Sequence, residues 1–257
     1  MEYLVVSVAA LLTSGLTLFS GFGLGTLLLP AFLIFFPAEI AVAMTGIVHF
    51  LNNLFKLVLL GRHANWSVVL RFGIPGVIAA FGGAALLFLI SNVEPLVTYE
   101  IGGRTFSITS VKLLMALLIV SFAILELVPA ARSLEFDKRY LSLGGVFSGF
   151  FGGLSGHQGA LRSAFLIRAG LSKEAFIATG VVVACLIDAT RLSVYAQHLV
   201  VGGIQENAAL LVVATLSAFL GAYVGNSFVK KVTMKSMQSV VAVLLFIIAI
   251  LLGAGLI

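Results

Sequence analysis

The sequence predicts an all-α polytopic membrane protein made of two inverted repeats. Each repeat is expected to be a re-entrant or broken helix hairpin followed by three transmembrane helices. Three observations predict this: the apolar composition, the sidedness of the basic residues and a match between the two halves. Of the 257 residues, 61% are hydrophobic and only 10% are charged, with a mean hydropathy of +1.19. A soluble domain carries about 25% charged residues. Apolar segments recur at roughly 3–36, 39–61, 66–90, 108–128, 141–168, 174–200, 206–229 and 236–257. A bilayer-crossing helix needs roughly 17–25 residues. Continuous runs, rather than short alternating segments, argue against a membrane β-barrel.

The first and fifth segments are broken near the middle by glycine, at "FSGFGLG" (19–25) and "FSGFFGGLSGHQG" (147–159). Charge decides how they are threaded. If all eight segments crossed, Arg62, Arg71, Arg132, Lys138 and Arg139 would face seven basic residues on the other side, with no asymmetry. If the first and fifth are hairpins, only Arg104 and Lys112 remain opposite all the other loop cations. Basic loops stay cytoplasmic. The expectation is therefore six full spans and two hairpins, with both termini outside the cytoplasm.

The halves also match in order. Phe19–Phe22 matches Phe147–Phe150, Ala31–Ile34 matches Ala164–Ile167, and Thr45–Gly46 matches Thr179–Gly180. Allowing one gap, Asn53 aligns with Asp188 and Lys56 with Arg191. The first repeat is placed at 1–130, a cytoplasmic connector at 131–140 and the second repeat at 141–257. An odd number of crossings per repeat inverts the second half. Inverted repeats with broken helices place a transport site near the midplane, where the breaks meet.

Taken in order, the first break offers Ser20, Gly21 and Gly23 as backbone and hydroxyl donors, or as packing. The second segment carries His49, Asn53 and Lys56 at helical spacing, on one face. Lys56 is a candidate anion-binding cation, or it snorkels toward the interface. Trp66 reads as an interfacial residue, as do His63, Tyr195 and His198. Alternation around Gly102-Gly103 in "VTYEIGGRTFSIT" predicts a β-hairpin outside the membrane. The fifth segment carries the densest polar cluster: Ser155, Gly156, His157, Gln158, Gly159 and Arg162. A helix restarting after the glycines would aim N–H groups and its dipole at an anion. Arg162 adds a planar donor fork suited to oxyanions, or it pairs with Asp188. Asp188 and Arg191, three apart in the sixth segment, can pair with each other. Gly221–Gly225 in the seventh segment suits packing within the chain or a homodimer contact.

The duplicated "FSGF" breaks, the two "TG" pairs and the glycine-rich "GIPGVIAAFGG" and "FLGAYVGNS" make nearly the whole chain similar to the TauE/SafE family of bacterial anion exporters. That resemblance implies a transporter in the cytoplasmic membrane that exports sulfite or small organosulfonates. The residues agree on charge: three embedded cations (Lys56, Arg162, Arg191) face one acid (Asp188). The expected ligand contacts are Ser20, Gly21, Gly23, Asn53, Lys56, Ser155, Gly156, His157, Gln158, Gly159, Arg162 and Arg191, with Asp188 as a coupling or structural partner.

Expelling a monoanion from a negative interior gains about 2.3 kcal/mol per 100 mV, so no coupling ion is required. His157 is the group through which protonation would tune affinity. Two rivals stand beside the transporter. A passive anion channel would share the broken hairpins. A rhomboid-like protease would use "GLSG" (153–156), with Ser155 and His198. The single cysteine, Cys185, excludes an intramolecular disulfide and speaks against a metal cluster. No cofactor is expected. The net charge of +5 is scattered over short loops, which speaks against nucleic acid. "MEYLVVSVAA" lacks the basic start of a removable signal peptide.

Overall fold

The computed structural model describes residues 1–20, 24–127, 135–199, 206–228 and 234–257. Its helices follow the apolar runs. The first run gives α1 (Glu2–Ser20) and α2 (Leu24–Leu33), on either side of the first glycine break. Pro37, which cannot donate to a preceding turn, sits at the start of α3 (Ala38–Leu60). Asn65 starts α4 (Trp66–Ser91), its side-chain oxygen accepting from the Val68 N–H at 3.2 Å. Then come α5 (Ser110–Leu127), α6 (Leu141–Ser155), α7 (Gly159–Leu166), α8 (Lys173–Leu199), α9 (Ala208–Phe228) and α10 (Met234–Gly253). Among the described residues, Ala38–Leu59, Trp66–Ser91 and Lys173–Ala196 are long and apolar enough to cross a membrane. Shorter apolar helices cover Glu2–Gly15, Ser110–Leu125 and Ala208–Val224.

The expected β-hairpin is present: β1 (Val97–Ile101) pairs antiparallel with β2 (Arg104–Ile108), Val97 opposite Ile108. Gly102 and Gly103 both have positive φ, as a two-residue turn of this kind requires. The hairpin is more than a connector. The Tyr99 hydroxyl donates to the Ala254 carbonyl, and Lys112 Nζ reaches the Ser107 carbonyl at 3.1 Å. The hairpin thus fastens the chain's C-terminal turn to the start of α5.

The fifth segment folds back on itself. The Phe136 N–H donates to the Ala164 carbonyl at 3.1 Å, and the Phe136 and Phe165 rings stack 4.2 Å apart. Arg168 Nε donates to Glu135 at 2.6 Å, so the residues flanking α6 and α7 meet. A side chain on Gly144 would collide with the Phe165 ring. Of the expected connector, 131–134 lie outside the described residues; its end forms the 3-10 turn Lys138–Tyr140, capped by Asp137.

Packing partners exchange between the halves. α6 packs on α4, and α1 packs on α9. α3 packs on α8, and α5 on α10. The α4–α6 contact is backbone on backbone. A side chain on Gly145, Gly149 or Gly153 would strike the carbonyl of Phe72, Gly76 or Ala80 in turn. Small residues at this spacing let membrane helices approach closely, where van der Waals contact must hold them together. Gly221 does the same against the Leu11 carbonyl, so that glycine is used within the chain.

The outer faces are apolar. Leu70, Ile74, Ile78 and Phe81 of α4 are exposed at helical spacing, as are Val212, Leu216, Leu220 and Tyr223 of α9. Such stripes are costly in water and suited to lipid. Ten polar and charged residues of the apolar runs point inward: His49, Asn52, Asn53, Lys56, Ser155, His157, Gln158, Arg162, Asp188 and Arg191 are all buried.

Candidate anion site at the helix breaks

α6 ends where Gly156 takes up a left-handed conformation, with φ at 85°. A residue with a Cβ is strained there. The turn brings the break of the second half against the start of α2. A Cβ on Gly25 would stand 3.0 Å from the Gly156 carbonyl. The two interrupted segments therefore touch at their interruptions. Gly21 and Gly23, with the Ser20 side chain, lie outside the described residues.

Asp188, fully buried in α8, is the hub. Its Oδ1 accepts from Arg191 Nε at 2.9 Å and from Gln158 Nε2 at 3.0 Å. Arg191 Nη2 lies 2.8 Å from the same oxygen, an ion-pair contact rather than a directed hydrogen bond. Oδ2 faces His49 Nδ1 at 2.5 Å, across from α3. A buried carboxylate needs this many donors to offset the loss of water. Asn53, one turn along α3, places its amide nitrogen 3.1 Å from His49 Nδ1.

Between the two expectations for Arg162, the geometry gives neither in pure form. Asp188 takes Arg191 as its cation, and Arg162 Nη1 donates to Gln158 Oε1 at 3.0 Å. Gln158 stands between them, one end of its amide on each. Gln158 is also the residue that starts α7, so its side chain bridges while its carbonyl accepts the Arg162 N–H at 3.0 Å. Gly159 is the first residue of α7.

The two "TG" pairs acquire a physical reason. A Cβ on Gly46 would stand 3.2 Å from Arg191 Cζ, and a Cβ on Gly180 would stand 3.4 Å from Arg162 Nε. Each glycine clears space for one guanidinium. Arg191 Nη1 also lies against Gly156 and has no hydrogen-bond partner among the described residues.

Lys56 is buried rather than extended to the surface. Among the described side chains, Lys56, Arg162 and Arg191 are buried together with Asp188, which pairs directly with Arg191 and His49. His157 stacks on Phe122 with centroids 4.9 Å apart, and its Nδ1 lies 2.9 Å from Ser155 Oγ. Its Nε2 is buried without a hydrogen-bond partner among the described residues. Ser155 Oγ donates to the Phe151 carbonyl at 3.1 Å, closing its own helix. His198, the partner a protease would need, has its side chain outside the described residues.

Two residues were not legible from the sequence. His49 carried no role beyond its helix face, because its partner is 139 positions away. Tyr195 corrects the expectation of an interfacial residue: it is fully buried, its hydroxyl donates to the Gly153 carbonyl, and its ring meets Phe88 edge-on. A tyrosine near a helix end looks interfacial by sequence, but here the hydroxyl finds its partner inside the bundle. Trp66, by contrast, is exposed at the start of α4.

No curated protein and no solved structure matches the chain. Residues 6–252 match the family described as Sulfite exporter TauE/SafE. The apolar outer faces fit a transmembrane transporter of that kind, and the match spans nearly the whole chain, so the protein belongs to the TauE/SafE sulfite exporter family.

Proposed function

We propose that the protein exports small sulfur oxyanions, sulfite or organosulfonates, from the cytoplasm across the bacterial inner membrane. The observation that carries this is the set of buried donors at the second break, where Gln158, Arg162 and Arg191 meet beside the left-handed turn at Gly156. A guanidinium is a planar fork of donors that matches the oxygens of an oxyanion. Arg162 and Lys56 are assigned to the anion. Ser155, Gly156, His157, Gln158, Gly159, Asn53 and Arg191 complete the proposed contact set, and Ser20, Gly21 and Gly23 of the first break are assigned to it from the sequence. Asp188 keeps Arg191 in place.

The halves 1–130 and 141–257 act as inverted repeats, with segments one and five re-entrant and both termini outside. The exchange of packing partners between halves and the Glu135–Arg168 contact support this reading. Alternating access then comes from one repeat rocking against the other. The membrane potential drives the monoanion outward.

The test is efflux from proteoliposomes loaded with sulfite, sulfoacetate, sulfate or chloride at a set potential. Wild type should release sulfite or sulfoacetate in preference to chloride, and Arg162→Ala should lose most of that flux. Unchanged sulfite flux in Arg162→Ala would sink the site assignment. Flux far above transporter turnover would make the protein a channel.

A further inference from the structure

Four buried side chains form one hydrogen-bonded line through the middle of the bundle. His49 Nδ1 faces Asp188 Oδ2 at 2.5 Å, Gln158 Nε2 donates to Asp188 Oδ1 at 3.0 Å, and Arg162 Nη1 donates to Gln158 Oε1 at 3.0 Å. The members come from α3, α8, the second break and α7, and so from both halves. Each link has one possible direction. A guanidinium only donates and a carboxylate only accepts. The Gln158 amide must therefore turn its oxygen to Arg162 and its nitrogen to Asp188. His49 must present N–H at Nδ1. Arg191 holds the other side of Asp188 but lies on the same helix, three residues along. His49 is the first-half end of the line.

We propose that His49 is a positioning residue for the anion: it holds the Arg162 guanidinium in place through Asp188 and Gln158, and so ties the site to helix α3. This rests on the assignment of Arg162 to the anion. The line joins the halves that must move past each other. A shift of α3 against α8 breaks the His49–Asp188 contact, and the carboxylate that orients Gln158 is then held from one side only. By linkage, an anion that binds better to the aligned Arg162 favours the arrangement in which that contact is closed. Substrate affinity and the relative position of the halves are thereby coupled through one side chain.

The test is sulfite efflux from proteoliposomes, with KM and Vmax measured separately. His49→Leu should raise the sulfite KM about ten-fold while Vmax stays within about two-fold. His49→Asn, whose side-chain nitrogen occupies the place of Nδ1, should restore most of the affinity. In an Arg162→Ala background, His49→Leu should change KM no further, because its effect runs through that arginine. The proposal is overturned if His49→Leu leaves KM at the wild-type value, if the KM rise is as large without Arg162, or if the folded Asn variant fails to rescue. A wild-type KM in Arg162→Ala overturns the site assignment and the proposal with it. An impaired Arg162→Ala beside a normal His49→Leu overturns the proposal alone. If His49→Leu does not fold, Gln158→Leu cuts the same line one link nearer Arg162. A wild-type KM there is equally decisive against it.

Discussion

Replacing Asp188 by asparagine isolates the charge at the centre of the bundle. Asparagine keeps an acceptor oxygen where Arg191 Nε and Gln158 Nε2 donate, at 2.9 and 3.0 Å. Its amide nitrogen takes the place of Oδ2, and His49 can turn to its other tautomer to accept. The hydrogen bonds survive and the charge is lost. Arg191, fully buried, is then without its counterion. Removing one partner of a buried ion pair costs about 3–5 kcal/mol, so Asp188→Asn should destabilise by about that amount. Arg191→Met should cost a similar amount, by leaving the carboxylate to His49 and Gln158. The double variant is neutral at this position, and replacing both partners together is often tolerated. The two single effects should therefore fail to add by about 2–3 kcal/mol. Equilibrium unfolding in mixed micelles, followed by far-ultraviolet circular dichroism, measures all four proteins. Additivity within about 0.5 kcal/mol would show that the two residues act independently, and would refute the account of Asp188 as the counterion of Arg191.

Further outcomes follow from the packing. Gly149→Val drives a side chain into the Gly76 carbonyl, and overpacking costs about 1–3 kcal/mol; lower thermal stability in detergent checks it, and wild-type stability would mean the two helices do not touch there. Gly156→Ala meets both a left-handed backbone, worth about 1–2 kcal/mol, and Arg191 Nη1. It should lower sulfite flux more than Gly82→Ala, whose added methyl meets open space, and equal flux in the two would contradict the role of the turn. Tyr99→Phe removes one hydrogen bond to the C-terminal turn and should cost about 0.5–1.5 kcal/mol. Amide exchange at residues 254–257 should rise while sulfite KM stays unchanged, and a changed KM would place the hairpin in the transport path.

Much of the architecture follows from the sequence because local physics is sufficient for it. A run of apolar residues long enough for a bilayer has to be a helix, since every backbone polar group must be satisfied within the segment. The Gly102-Gly103 pair marks the β-hairpin because few other residues accept that turn. Glycine clusters mark both breaks, and Arg162 and Arg191 deep in apolar runs could be expected in the interior, while for Lys56 the sequence offered the interior or the interface. What only the tertiary structure decided is who meets whom. Periodicity fixes the face of a helix but not which distant helix it meets. Arg191, three residues along the same helix, takes Asp188; Arg162 reaches it through Gln158. His49 closes the line from the other half. Tyr195 is inside because Gly153, forty-two positions earlier, offers it a carbonyl. Gly46 and Gly180 are glycines because guanidiniums from other helices lie against them. Apart from the Asp188–Arg191 pair within α8, each of these is a contact between residues on different helices or across a break, and its partner is set by how the helices pack.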